Sequence, residues 1–146
     1  MQTSFTDKQL LDKDNKSSES ILRKCVHCGM CNATCPTFCV NGEELEGPRG
    51  RIYLIKDMLE NKKPANKKVV KHIDSCLSCY SCMTTCPSGV NYMHLIDHGR
   101  NYVEETYKRP FFDRLFRNVL SFVLPRPKVF LALAYLSKLI KPFSFL

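Results

Sequence analysis

Tryptophan is absent from the 146 residues, and glycine occurs only six times. No Gly-rich dinucleotide fingerprint and no arranged acid–base pair can be found, so carbon chemistry is expected to occur elsewhere than in this chain. No segment alternates strictly between apolar and polar residues with turn residues on both sides, which argues against a sheet. The first 24 residues are polar and charged, with no apolar signal core and no small-residue cleavage site; a cytoplasmic location is the expectation. The last apolar segment runs without a charge only over residues 129–137, short of the roughly 20 residues that a bilayer span requires. Acidic residues are scarce at the same end. Residues 108–146 carry eight Lys+Arg against Asp113 alone, whereas residues 1–107 carry 14 against 13. The net charge of +8 therefore belongs to the tail, where it suits an anionic membrane face or an acidic partner surface. No nucleic-acid motif accompanies it, and nucleic acid is not an expected partner.

What the chain has in plenty is cysteine, and in a fixed pattern. Cys25, Cys28, Cys31 and Cys35 are followed by Pro36; Cys76, Cys79, Cys82 and Cys86 are followed by Pro87. Both runs spell C-x2-C-x2-C-x3-C-P, the spacing that holds cubane iron–sulfur clusters. Three cysteines two residues apart let one tight loop wrap three irons. Gly29 suits the bend in the first loop, because it tolerates a positive φ. The fourth cysteine points away from its own loop and, in two-cluster ferredoxins, ligates the other cluster. That rule assigns one [4Fe–4S] cluster to Cys25, Cys28, Cys31 and Cys86, and a second to Cys76, Cys79, Cys82 and Cys35. The competing account is structural zinc, which favours two separated C-x2-C pairs rather than this run. Cys39 stands outside both runs and is expected to be a small buried thiol. His27 lies inside the first loop; it and His72, His94 and His98 are assigned structural or solvent-facing roles. Arg49, Arg51 and Lys56 are expected on a solvated helix face.

Around the runs the pattern is helical. Residues 1–17 are expected to be a flexible N-terminal segment, and a short helix begins at Ser17 or Ser18. Ile52, Ile55 and Leu59 mark a helix over 49–61, and Val69, Val70 and Ile73 another over 66–75. Tyr92, Ile96, Gly99 and Val103 mark a longer one over 90–107. Pro110 opens a helix over 111–124; a last apolar helix spans 129–140 and stops at Pro142. The expected fold is all-α: a helical two-[4Fe–4S] ferredoxin domain over 18–107, followed by a basic apolar helical tail over 108–146. Seven of the nine Phe residues lie in that tail, from Phe111 to Phe145. Such an apolar surface marks an interface with protein or an anionic membrane.

The stretch Leu45, Glu46, Gly47, Pro48, Arg49, Gly50, Arg51, Ile52, Tyr53, Leu54, Ile55, Lys56 follows the first run. Thr85, Cys86, Pro87, Ser88, Gly89, Val90, with Asp97, Gly99 and Arg100, closes the second. Together they resemble the iron–sulfur subunit of glycolate oxidase, also called glycolate dehydrogenase. The resemblance runs from about residue 20 to residue 130. It implies a helical ferredoxin domain with two [4Fe–4S] clusters and flavin-bearing partner subunits that oxidise glycolate to glyoxylate. It also implies electron transfer from the flavin towards a membrane quinone, with the chain peripheral on the inner face of the cytoplasmic membrane. Related subunits of lactate, glycerol-3-phosphate or heterodisulfide reductase-type complexes share the cysteine runs. Members of the family continue into a long C-terminal region with further cysteine-rich motifs, so the chain is expected to be a truncated form.

Overall fold

The computed structural model describes residues 1–140, with side chains through Tyr135. It divides into two compact units, Met1–Tyr107 and Lys108–Leu146. The first holds α1 (Asp7–Leu10), α2 (Lys13–Lys24), α3 (Pro36–Asn41), α4 (Pro48–Asn61), α5 (Lys67–Asp74), α6 (Ser81–Thr84) and α7 (Tyr92–Thr106). The second holds α8 (Phe111–Val123) and α9 (Pro127–Ile140). There is no strand among the described residues, so the fold is all-α.

Helix α4 is the hub of the first unit, packing against α2, α5 and α7. Its buried Ile52, Ile55 and Leu59 meet Leu22 of α2, Val70 and Ile73 of α5, and Leu95, Ile96 and Val103 of α7. The three- and four-residue spacing that marks these stripes puts one face of each helix into a shared core. Gly99 lets α7 approach α4 closely: a Cβ there would sit 2.8 Å from Ile55 Cγ1. Side chains start the helices where the free N–H groups need partners. Asn66 accepts from Val69 N at 3.0 Å, and Asn91 from His94 N at 3.3 Å.

The N-terminal end differs from expectation. Helix α2 begins at Lys13 rather than Ser18, because Asp12 caps it by accepting from Asn15 N at 3.0 Å. Ser18 lies inside the helix, fully buried, with its hydroxyl 2.7 Å from His98 Nδ1 on α7. That tertiary partner overrides the capping preference of serine. Residues 1–17 are packed onto the rest of the unit rather than set apart from it. Gln9 is buried and donates to Leu59 O at 2.9 Å, and the terminal ammonium donates to Leu22 O at 3.3 Å.

The second unit is a pair of helices that leaves its apolar side chains in the open. Phe111, Phe112, Leu115, Phe116 and Phe122 are all exposed. Arg126 lies over the Phe122 ring at 4.0 Å. Helix α9 starts two residues earlier than expected, because Pro127 fits a first turn that needs no N–H donor. Phe143, Phe145 and the stop at Pro142 lie outside the described residues. No described helix is long and apolar enough to cross a membrane.

Candidate metal centre

The two cysteine runs adopt the same backbone. In the first, His27 and Gly29 have φ of 58° and 85°; in the second, the matching Ser78 and Tyr80 have φ of 52° and 56°. Left-handed residues two and four places after the first cysteine bend each run into a tight loop. Non-glycine residues take this conformation rarely, so its repetition at equal register, once on Tyr80, belongs to the site rather than to local preference. Cys25 ends α2, and Cys35 is the residue before α3, whose first position is Pro36.

The loops line two cavities. Cys25, Cys28 and Cys31 are joined on the wall of the first by Cys86, with Ile52, Val90 and Pro87 as apolar lining. The second is lined by Cys35, Cys76, Cys79 and Cys82, with Leu77 and Tyr80. Cys82, Pro48 and Tyr92 face both cavities, which therefore share a wall. Cys28 and Cys79 are the exposed members of their sets.

Burial and neighbouring sulfur suppress the ionisation of two of these thiols. Burial pushes Cys31 up to about 11, with Cys25, Cys86 and Cys28 adding repulsion. Burial pushes Cys82 up to about 12, with Cys31, Cys76, Cys35 and Cys79 adding theirs. Cys79 goes the other way, lowered by the backbone N–H and then the hydroxyl of Ser81. Sets of crowded thiols become thiolates together only around a cationic group, since coordination deprotonates a thiol outright. All nine cysteines are free, and an all-sulfur donor set in this spacing suits iron–sulfur clusters. His27 Nδ1 is buried without a hydrogen-bond partner, and His27 lines the first cavity. It is a polar atom left available to whatever the cavity holds. The residues present therefore fit two [4Fe–4S] clusters.

The segment Gly47 to Arg51 locks both loops to α4. Gly47 lies against the buried Asn32, whose Oδ1 would be overlapped by any Cβ there. Asn32 Oδ1 accepts from Arg49 N at 3.3 Å, tying the first loop to the start of α4. Pro48 opens that helix and faces both cavities. Gly50 packs on backbone; a Cβ would overlap Glu44 O and come within 2.8 Å of Leu45 Cα. Arg100 holds the second loop, donating to Ser78 Oγ at 2.7 Å and Cys76 O at 2.6 Å. Asp97 is exposed, and nothing in the structure explains it.

Arg51 corrects an expectation. It is not on a solvated face but 1% exposed. Its guanidinium donates to Glu46 Oε2 at 2.9 Å, Thr37 Oγ1 at 3.0 Å, Ser75 Oγ at 3.0 Å and His72 O at 2.6 Å. Nη1 reaches Cys35 Sγ at 3.8 Å. Burial alone would raise the Glu46 carboxyl, but hydrogen bonds from Ser75 and His72 and the charge of Arg51 hold it below its ordinary value. His72 is buried with Nδ1 2.8 Å from Glu46 Oε1. The signal for this network was the alternation of Glu46 and Arg51 with glycines between the two cysteine runs. Arg49 does lie at the surface, paired with Glu44 at 2.5 Å. Cys39 is exposed rather than buried, because it faces outward from the short α3, in which no residue is buried. Tyr92 donates to Cys76 Sγ at 3.7 Å; burial, then the neighbouring Cys76, pushes its phenol well above the usual value.

Fold and cysteine geometry define a helical ferredoxin-type domain. Residues 21–90 match the family model of the 4Fe-4S dicluster domain, and two [4Fe–4S] clusters are the cofactor. Over nearly its whole length the chain is similar to the glycolate oxidase iron-sulfur subunit of Escherichia coli K12. The two are 50% identical over 143 residues, which is 98% of this chain and 35% of that protein. A probable glycolate oxidase iron-sulfur subunit of Bacillus subtilis is 32% identical over 117 residues, 77% of this chain and 26% of that protein. The mitochondrial succinate dehydrogenase iron-sulfur subunit of Candida glabrata is 27% identical over 84 residues, 53% of this chain and 33% of that protein. The chain thus spans about a third or less of the curated relatives it matches. No solved structure matches it at a comparable level.

Proposed function

We propose that this chain is the electron-relaying part of a flavin-linked glycolate dehydrogenase. It would take electrons from flavin-bearing subunits, which oxidise glycolate to glyoxylate, and pass them towards a quinone. The observation that carries the reading is the pair of thiol-lined cavities with a common wall of Cys82, Pro48 and Tyr92. Each bound [4Fe–4S] cluster supplies one-electron chemistry, and two in series suit a two-electron flavin donor. Cys25, Cys28, Cys31 and Cys86 would hold one, and Cys76, Cys79, Cys82 and Cys35 the other. Asn32 and Arg100 hold the loops in place, while the buried Ile52 and Val90 keep water from the inner side of the first cavity. No residue of this chain has a catalytic role on glycolate. The domain boundary near residue 108 separates this relay from a basic tail that serves as a docking element at a protein or an anionic membrane face.

The glycolate assignment rests on the named relatives. Anaerobic reconstitution with iron and sulfide, followed by flavin subunits and glycolate, tests it. Bleaching of the visible cluster absorbance by glycolate is the expected result. Bleaching by dithionite but not by glycolate in the full complex would assign the chain to another dehydrogenase.

A further inference from the structure

The two cavities differ in what touches their sulfurs. At the second, Arg51 Nη1 donates to Cys35 Sγ at 3.8 Å, Tyr92 Oη to Cys76 at 3.7 Å and Ser81 Oγ to Cys79 at 3.7 Å, and Thr37 Oγ1 lies 3.2 Å from Cys35 Sγ. Arg51 brings a guanidinium that points Nη1 at the sulfur, in a place that is 1% exposed and hence poorly screened, with its charge offset in part by the buried Glu46. At the first, no side-chain hydrogen bond reaches the Sγ of Cys25, Cys28, Cys31 or Cys86 among the described residues; Thr34 donates to Cys31 O at 3.3 Å. Two cations lie near it: the terminal ammonium, which donates to Cys25 O rather than to a sulfur, and Arg49, 35% exposed and paired with the exposed Glu44, so that its charge is partly screened. His27 offers that cavity one unpartnered ring nitrogen and no buried charge.

A cluster gains one negative charge when it is reduced. Donors to its sulfurs and a buried cation stabilise the reduced form and raise the reduction potential. Resting on the relay reading above, we infer that the second site has the higher potential, so that electrons enter at the first and collect at the second. Arg51 and Tyr92 are the positioning residues that set the difference. One electron leaves the first site as one arrives at the second, with no proton and no bond exchanged. Exposed Cys28 then marks the side of the electron donor, and exposed Cys79 the side of the acceptor.

Glu46 gives the idea a test of opposite sign. Its carboxylate, 2.9 Å from Arg51 Nη2, offsets the guanidinium that acts on Cys35. Glu46→Gln keeps the shape and one oxygen to accept from Arg51 and Ser75, turns an NH2 towards His72 Nδ1, and frees the positive charge. Tyr92→Phe keeps the ring on the shared wall and removes only the donor to Cys76. The measurement is a redox titration of the full chain carrying both clusters, followed by electron paramagnetic resonance, with iron and sulfide counted on the same sample.

The unaltered chain should show two potentials separated by at least a tenfold partition of one electron, about 59 mV. Tyr92→Phe should lower the higher potential and narrow the gap, and Glu46→Gln should raise it and widen the gap. The lower potential should move little in either. Equal potentials, or variants that move the lower potential or neither, would overturn the inference while leaving the relay reading intact. A chain that takes up far less than about eight iron and eight sulfide would sink both together.

Discussion

Arg51 shows how one side chain can join a metal centre to a fold. It touches Thr37, Glu46, His72 and Ser75, which lie on three separate stretches of chain. Removing it would leave the Glu46 carboxylate buried and without its cation, a loss of about 3–5 kcal/mol. Arg51→Met should therefore lower the denaturation midpoint of the cluster-loaded chain sharply in urea, and Arg51→Met with Glu46→Leu should recover most of it. Such a residue escapes sequence reading because an arginine in an amphipathic helix is ordinarily solvated; its burial follows from partners up to 24 positions away. The two cysteine runs were legible because spacing alone marks them, and the exposure of Cys39 was not, because nothing in sequence tells an exposed small thiol from a buried one. His98 offers a titration at this scale. Burial lowers it, His94 adds to the lowering, and Asp14, Asp12 and Glu105 oppose it. Its folded value then lies below the unfolded value of about 6.5. The stabilisation is complete above that value and is lost as pH falls through the folded one. Thermal midpoints should decline between pH 7.5 and pH 5.5, and His98→Gln should flatten that decline.

Among the elements, α4 and its glycines decide how closely the pieces fit. Replacing glycine by alanine within a helix gains about 1 kcal/mol of propensity, and overpacking costs about 1–3 kcal/mol. At Gly99 the obstacle is the buried side chain of Ile55, which must give by a few tenths of an ångström, so overpacking outweighs propensity modestly. At Gly50 the obstacle is the backbone of Glu44 and Leu45, which cannot move without shifting the segment that carries Glu46. Gly50→Ala should therefore destabilise by more than Gly99→Ala in chemical denaturation, and should also lower iron retention. The apolar stripes of α4, α5 and α7 were readable from the chain because a single core face sets their period. The start of α2 was not, since Ser17 and Ser18 look like caps until Ser18 is seen against His98. Asp12, which does the capping, sits among other charged residues and gives no distinct signal.

At the scale of the whole chain, two units meet solvent very differently. Met1–Tyr107 buries its own apolar core, whereas Lys108–Leu146 exposes Phe111, Phe112, Phe116 and Phe122 beside its basic residues. An exposed patch of this kind drives association. A chain ending at residue 107 should keep its full iron content and lose most of its concentration-dependent self-association in sedimentation; equal association by both forms would place the sticky surface in the first unit. The charge asymmetry of the tail was plain in the sequence.

Both cavities draw their walls from both loops, and this bears on synthesis. A nascent chain that has released only the first loop offers three sulfurs to one cavity and a lone Cys35 to the other. Neither chamber exists until the ribosome has delivered Cys82 and Cys86. Cofactor loading is thus deferred to a nearly finished domain, and a chain stalled halfway would present open thiols to oxidants instead of a partly built relay.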